Sequence, residues 1–77
     1  MTFDEYQVFA RSTSVYPQKY KVMYPALGLC GEAGEVAEKV KKSIRDGNSL
    51  EGVGLELGDV LWYISALADD LGVTLEE

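Results

Sequence analysis

The sequence of 77 residues predicts an all-α fold, a small antiparallel helical bundle, on three observations. A capping-box pattern opens the chain, a long central segment repeats its apolar residues at intervals of three and four, and a nearly continuous apolar segment ends in a glycine. Thr2 with Glu5 is the capping box, and it starts a first helix that carries Phe3, Tyr6, Phe9 and Ala10 to about Arg11. Residues 12–24 begin Ser-Thr-Ser, contain Pro17 and lead into Pro25, so they read mostly as loop; Tyr16, Tyr20 and Tyr24 at spacing four hint at a helical turn within it. Pro25 suits the first turn of a second helix, where a missing N–H costs nothing. That helix runs to about Arg45 through Ala26, Leu29, Cys30, Ala33, Val36, Ala37, Val40 and Ile44, and Asp46-Gly47-Asn48 stops it.

Gly28, Gly31 and Gly34 inside the second helix each cost about 1 kcal/mol relative to alanine, so close packing of another helix or room for a ligand must compensate them. The third helix is expected to start at Leu50 or Glu51 and to end at Leu71, with Gly72 as its cap. It is apolar nearly all round from Val60 to Ala68, which implies burial on most sides. A chain of this size buries only about 60% of the surface that its unfolded form exposes. The single cysteine, Cys30, cannot close an intrachain bridge, so a second copy of the chain or a bound metal is expected to help, in a homodimer or homotetramer. Near the end of the sequence, Thr74 and Glu77 read as another capping box.

Thirteen acids against seven bases give a net charge of −6, which disfavours a nucleic-acid polymer as partner. The bases Lys39, Lys41, Lys42 and Arg45 cluster where they also suit a helix C-terminus. No apolar run reaches the roughly 20 residues of a membrane span, and the acidic N-terminus lacks the features of a signal peptide, so a cytoplasmic location is expected. The chain has no histidine, which excludes a Ser-His-Asp triad, a Cys-His pair, a zinc site of the usual type and a Glu-x-x-His di-iron site. Any chemistry must rest on carboxylates.

Two pairs of acids stand at i, i+3: Glu32 with Glu35 on the second helix, and Glu56 with Asp59 on the third. Residues three apart share a helix face, so each pair points two carboxylates the same way. Glu35 and Glu38 each precede a lysine by four, Lys39 and Lys42, as ordinary surface ion pairs do. Glu56 and Asp59 have no such partner and sit in an apolar pattern, where a carboxylate is costly unless paired or metal-bound. Antiparallel packing of the two helices would gather four acids, a set suited to the hard cations Mg²⁺ and Mn²⁺.

The pattern Glu-x-x-Glu, 20 further residues, then Glu-x-x-Asp resembles the signature of the MazG-like, all-α nucleoside triphosphate pyrophosphohydrolases. Residues 27–38, Leu-Gly-Leu-Cys-Gly-Glu-Ala-Gly-Glu-Val-Ala-Glu, and residues 56–63, Glu-Leu-Gly-Asp-Val-Leu-Trp-Tyr, look like the family's two motif helices. A weaker similarity extends back to about Tyr6, so residues 1–77 are read as one domain of this kind. The resemblance implies that Glu32, Glu35, Glu56 and Asp59 hold Mg²⁺ and that a nucleoside triphosphate is cleaved to monophosphate and pyrophosphate. It also implies a further C-terminal helix, which is absent or truncated in this sequence. Glu38 is placed to bind another ion or to accept the proton of the attacking water, or simply to pair with Lys42. Lys39 and Lys42 are candidates for holding phosphates, and Trp62, Tyr20 and Tyr24 either stack on a base or pack in the core. Alternatives are an enzyme of the same fold specific for dUTP, dCTP or phosphoribosyl-ATP, and a non-enzymatic helical dimerisation module.

Overall fold

A computed structural model describes residues 1–47 and 49–77; Asn48, the last of the expected stop residues, lies outside the described residues. The architecture is three α-helices, α1 (Phe3–Arg11), α2 (Met23–Asp46) and α3 (Val53–Leu71), with a 3₁₀ turn at Gln18–Tyr20 before α2. Among the described residues there is no strand, and the all-α expectation holds. Thr2 caps α1 as the sequence indicated, its hydroxyl accepting from the Glu5 N–H while the Glu5 carboxylate accepts from the Thr2 N–H.

The helix α2 begins two residues before Pro25, which sits buried in its first turn. Entry into α2 is strained: Val22 has φ 69° and ψ −52°, and the Met23 N–H donates to the Lys21 carbonyl at 2.8 Å across it. A β-branched residue in such a γ-turn costs about 1–3 kcal/mol. Asp70 of α3 holds the strained segment, accepting from the Val22 N–H at 2.8 Å and from the Tyr16 hydroxyl at 2.7 Å. Gly47 closes α2 in the left-handed conformation at φ 70°.

The third helix starts later than expected, at Val53, because Gly52 takes φ 91° and interrupts helical geometry after a turn at residues 51–52. It ends at Leu71 with Gly72 left-handed, as anticipated. Both neighbours of α3 run antiparallel to it. On one side Gly28 of α2 lies beside Tyr63 and Lys39 beside Glu56; on the other, Arg11 of α1 pairs with Asp69 and the Gln7 amide bonds residues 73 and 75. Gln7 is itself buried, with its amide donating to the Val73 carbonyl and accepting from the Leu75 N–H.

The three helical glycines do not share one role. A Cβ at Gly28 would collide with the Tyr63 ring, whereas Gly31 and Gly34 face open space, as does Gly58 on α3. Close packing therefore accounts for Gly28 alone, and the even spacing of three was misleading for the others. Thr74 and Glu77 do meet, but the Thr74 hydroxyl bonds the Glu77 carboxylate at 3.2 Å within a turn and the reciprocal capping pattern is not formed. Burial of α3 is also less complete than its sequence implied: Leu55, Leu57, Ile64 and Leu71 are exposed in the single chain.

Candidate metal centre

Antiparallel packing of α2 on α3 places Glu32 opposite Glu56 and Asp59. One carboxylate oxygen from each of these three acids lies within 4.8 Å of the other two. Glu32 and Glu56 are half-buried and Asp59 is exposed. Asp59 thus sits on the open side of the group, outside the buried setting that its apolar neighbours in sequence suggested. Glu35 is exposed and is not one of the three, though its charge still acts on Glu32.

The electrostatics record the crowding. The Glu32 carboxyl is pushed up to about 7, first by its hydrogen bond to Glu56, then by desolvation and by the charges of Glu56, Asp59 and Glu35. Glu56 is held below the ordinary carboxylate range by that same bond and by Lys39, whose Nζ lies 3.1 Å from Glu56 Oε1. Crowding therefore favours the protonated form of Glu32, while the Lys39 ammonium favours the ionised form of Glu56. An oxygen-only donor set that retains a proton to relieve its own repulsion matches the chemistry of a hard divalent cation, which would replace that proton.

The remaining sequence-selected residues are distributed differently. Glu38 pairs with Lys41 at 3.0 Å and with Lys42 at 3.7 Å, and its carboxyl is lowered chiefly by the hydrogen bond from Lys41. Lys39 bypasses Glu35, its neighbour at i−4, and reaches across to α3. The Trp62 indole N–H donates to the Thr13 hydroxyl at 2.8 Å, which fixes the ring as one wall of a cleft of about 310 Å³. Val15, Tyr16, Pro17, Tyr24 and Tyr63 complete that cleft, with Tyr16 and Tyr24 stacked at 4.8 Å. Tyr20 lies instead with Met23, Tyr24 and Leu27 around a smaller hollow.

Tyr63 joins the aromatic cleft to the acids, since its hydroxyl is pushed up by desolvation and then by Tyr24, Glu32 and Asp59. Tyr6 of α1 faces the same group: desolvation and then Asp59 raise it. Tyr63, Tyr6 and Asp70 were not site candidates from the sequence, whereas Tyr16 is one of the loop tyrosines noted there at spacing four. The available signal was the position of Tyr63 one turn beyond Asp59, on the same helix face.

Converging carboxylates on a helical bundle, with an aromatic cleft, define an acidic, all-α class of protein. Within that class, the model of the MazG nucleotide pyrophosphohydrolase domain matches residues 18–77, and the chain belongs to that family. It is also similar to the "Gene 37 protein" of Mycobacterium phage L5, with 40% identity over 87 aligned positions that cover 97% of this chain and 76% of the phage protein. No solved structure matches the chain. Among the described residues, no helix is long and apolar enough to cross a membrane.

Proposed function

We propose that this protein hydrolyses nucleoside or deoxynucleoside triphosphates to monophosphate and pyrophosphate, with Mg²⁺, or Mn²⁺ in its place, held by Glu32, Glu35, Glu56 and Asp59. The observation that carries this reading is the convergence of Glu32, Glu56 and Asp59 from two helices to within 4.8 Å. Membership of the pyrophosphohydrolase family supports it independently. Glu35 joins from one turn beyond Glu32 on the same face of α2. A divalent cation bound there supplies positive charge for the triphosphate oxygens and a lowered pKa for an attacking water.

The chain's own side chains divide the remaining work. Tyr16, Tyr24, Trp62 and Tyr63 receive the base in the aromatic cleft, where a ring can stack without a demand for one particular nucleobase. Lys39 and Lys42 are the candidates for the phosphate oxygens. Glu38 is the secondary candidate for taking up the water's proton, a role that requires Lys41 and Lys42 to release it. The active form is a homodimer or homotetramer, supported by the exposed apolar residues of α3.

Glu56→Gln and Asp59→Asn test the assignment. Each is expected to abolish Mg²⁺-dependent pyrophosphate release while leaving helicity, read by circular dichroism, nearly intact. Retained hydrolysis in both variants would remove these acids from the reaction.

A further inference from the structure

Lys39 stands apart from the other bases of α2. Lys41 and Lys42 pair with Glu38, and Arg45 with its neighbour Asp46, all on the exposed side of one helix. Lys39 crosses to α3, and among the described residues it is the cation within ion-pair distance of the converging acids. Its ammonium rests beside Gly52, 3.4 Å from where a Cβ there would stand, at the first turn of α3. That is the positive end of a helix dipole, an unfavourable place for a cation. The contact that holds it there is the one to Glu56.

We propose that Lys39 is the internal counter-cation of the acid group: it neutralises Glu56 in the metal-free protein and turns its ammonium to the substrate's phosphates when a divalent cation takes that carboxylate. The proposal rests on the reading of these acids as the metal site. A dication and an ammonium repel one another when they share a carboxylate, and the helix dipole adds to the push. The flexible four-carbon stem allows the movement, and the Lys39 side chain is 37% exposed, so a path to solvent is open. Lysine then serves as a point charge for phosphate oxygens in the same site.

Two effects of opposite sign follow, and a residue that merely props up the fold would not produce them. In calorimetric titrations with Mn²⁺ alone, Lys39→Met should bind the ion about two- to fivefold more tightly than the native chain, because a partly exposed ion pair no longer competes. At saturating Mn²⁺, the same variant should bind an α,β-imido deoxynucleoside triphosphate more weakly, on the order of tenfold, through loss of a charged hydrogen bond. Lys39→Arg should return both affinities toward native values. Equal Mn²⁺ affinity in Lys39→Met and the native chain would overturn the counter-cation role with the metal site intact. Weaker binding of both Mn²⁺ and the triphosphate would overturn it in favour of a structural role. Absence of Mn²⁺ binding in every protein would remove the metal-site reading and this proposal together.

Discussion

Glu32 shows how a single side chain ties stability to the site. Its carboxyl is pushed up to about 7, first by the hydrogen bond to Glu56 and then by desolvation and neighbouring charge, against an ordinary value of 4.5. Between those values the folded chain keeps a proton that the unfolded chain has released, so stability falls as pH rises through that window. Glu5, Glu38, Asp46 and Glu56 are shifted the other way, so their contributions change at lower pH. The expected result is a melting temperature in EDTA that drops between about pH 4.5 and about pH 7, a drop that saturating Mg²⁺ and Glu32→Gln both reduce. A flat profile in EDTA would mean that the acids do not crowd one another. The approach of Glu32 to Glu56 and Asp59 was legible in the sequence because i, i+3 spacing fixes which carboxylates share a face, whereas Glu35, expected beside them, is not among the three that converge. The Lys39–Glu56 pair was not legible, because partners across two helices depend on packing register, and helix grammar favoured Glu35.

Helix by helix, local signals read well and packing signals read poorly. The Thr2–Glu5 box and the left-handed Gly47 and Gly72 are set by backbone chemistry within a few residues, and all three stand where the sequence put them. The start of α3 was misplaced because Gly52 carries no mark in the sequence that tells a helix-interior glycine from a left-handed one. The tie from Asp70 to Tyr16 and Val22 spans 48 residues or more and leaves no local trace. The glycines of α2 give a direct check on the packing. Gly28→Ala drives a methyl into the Tyr63 ring and should destabilise the chain by about 1–3 kcal/mol. Gly34→Ala meets open space and should stabilise it by about 0.5–1 kcal/mol. Urea denaturation of the two variants measures this; destabilisation by both would show that Gly34 also lies at a packed interface, and stabilisation by both that Gly28 is not packed on Tyr63.

Taken alone, the whole molecule is too open for its length. The radius of gyration is 14.2 Å, where about 11.5 Å is usual for a compact chain of this size. Its accessible surface is 5357 Å², about 700 Å² above that of a compact monomer of this mass. Ala10 and Ala66 are the buried hydrophobic residues of the core, while Leu57, Ile64 and Leu71, seven apart on α3, form an exposed apolar stripe. A second copy seated on that stripe is the expected remedy, so light scattering should give at least a dimer, and Ile64→Glu should yield a less stable monomer. A native chain that is monomeric at high concentration would contradict this. The reaction itself is the central claim, and the most direct measurement is product analysis for each common ribo- and deoxynucleoside triphosphate, with Mg²⁺ and then with EDTA. Equal amounts of monophosphate and pyrophosphate with Mg²⁺, and neither with EDTA, are the predicted result. Orthophosphate with diphosphate, or no turnover of any nucleotide, would contradict it.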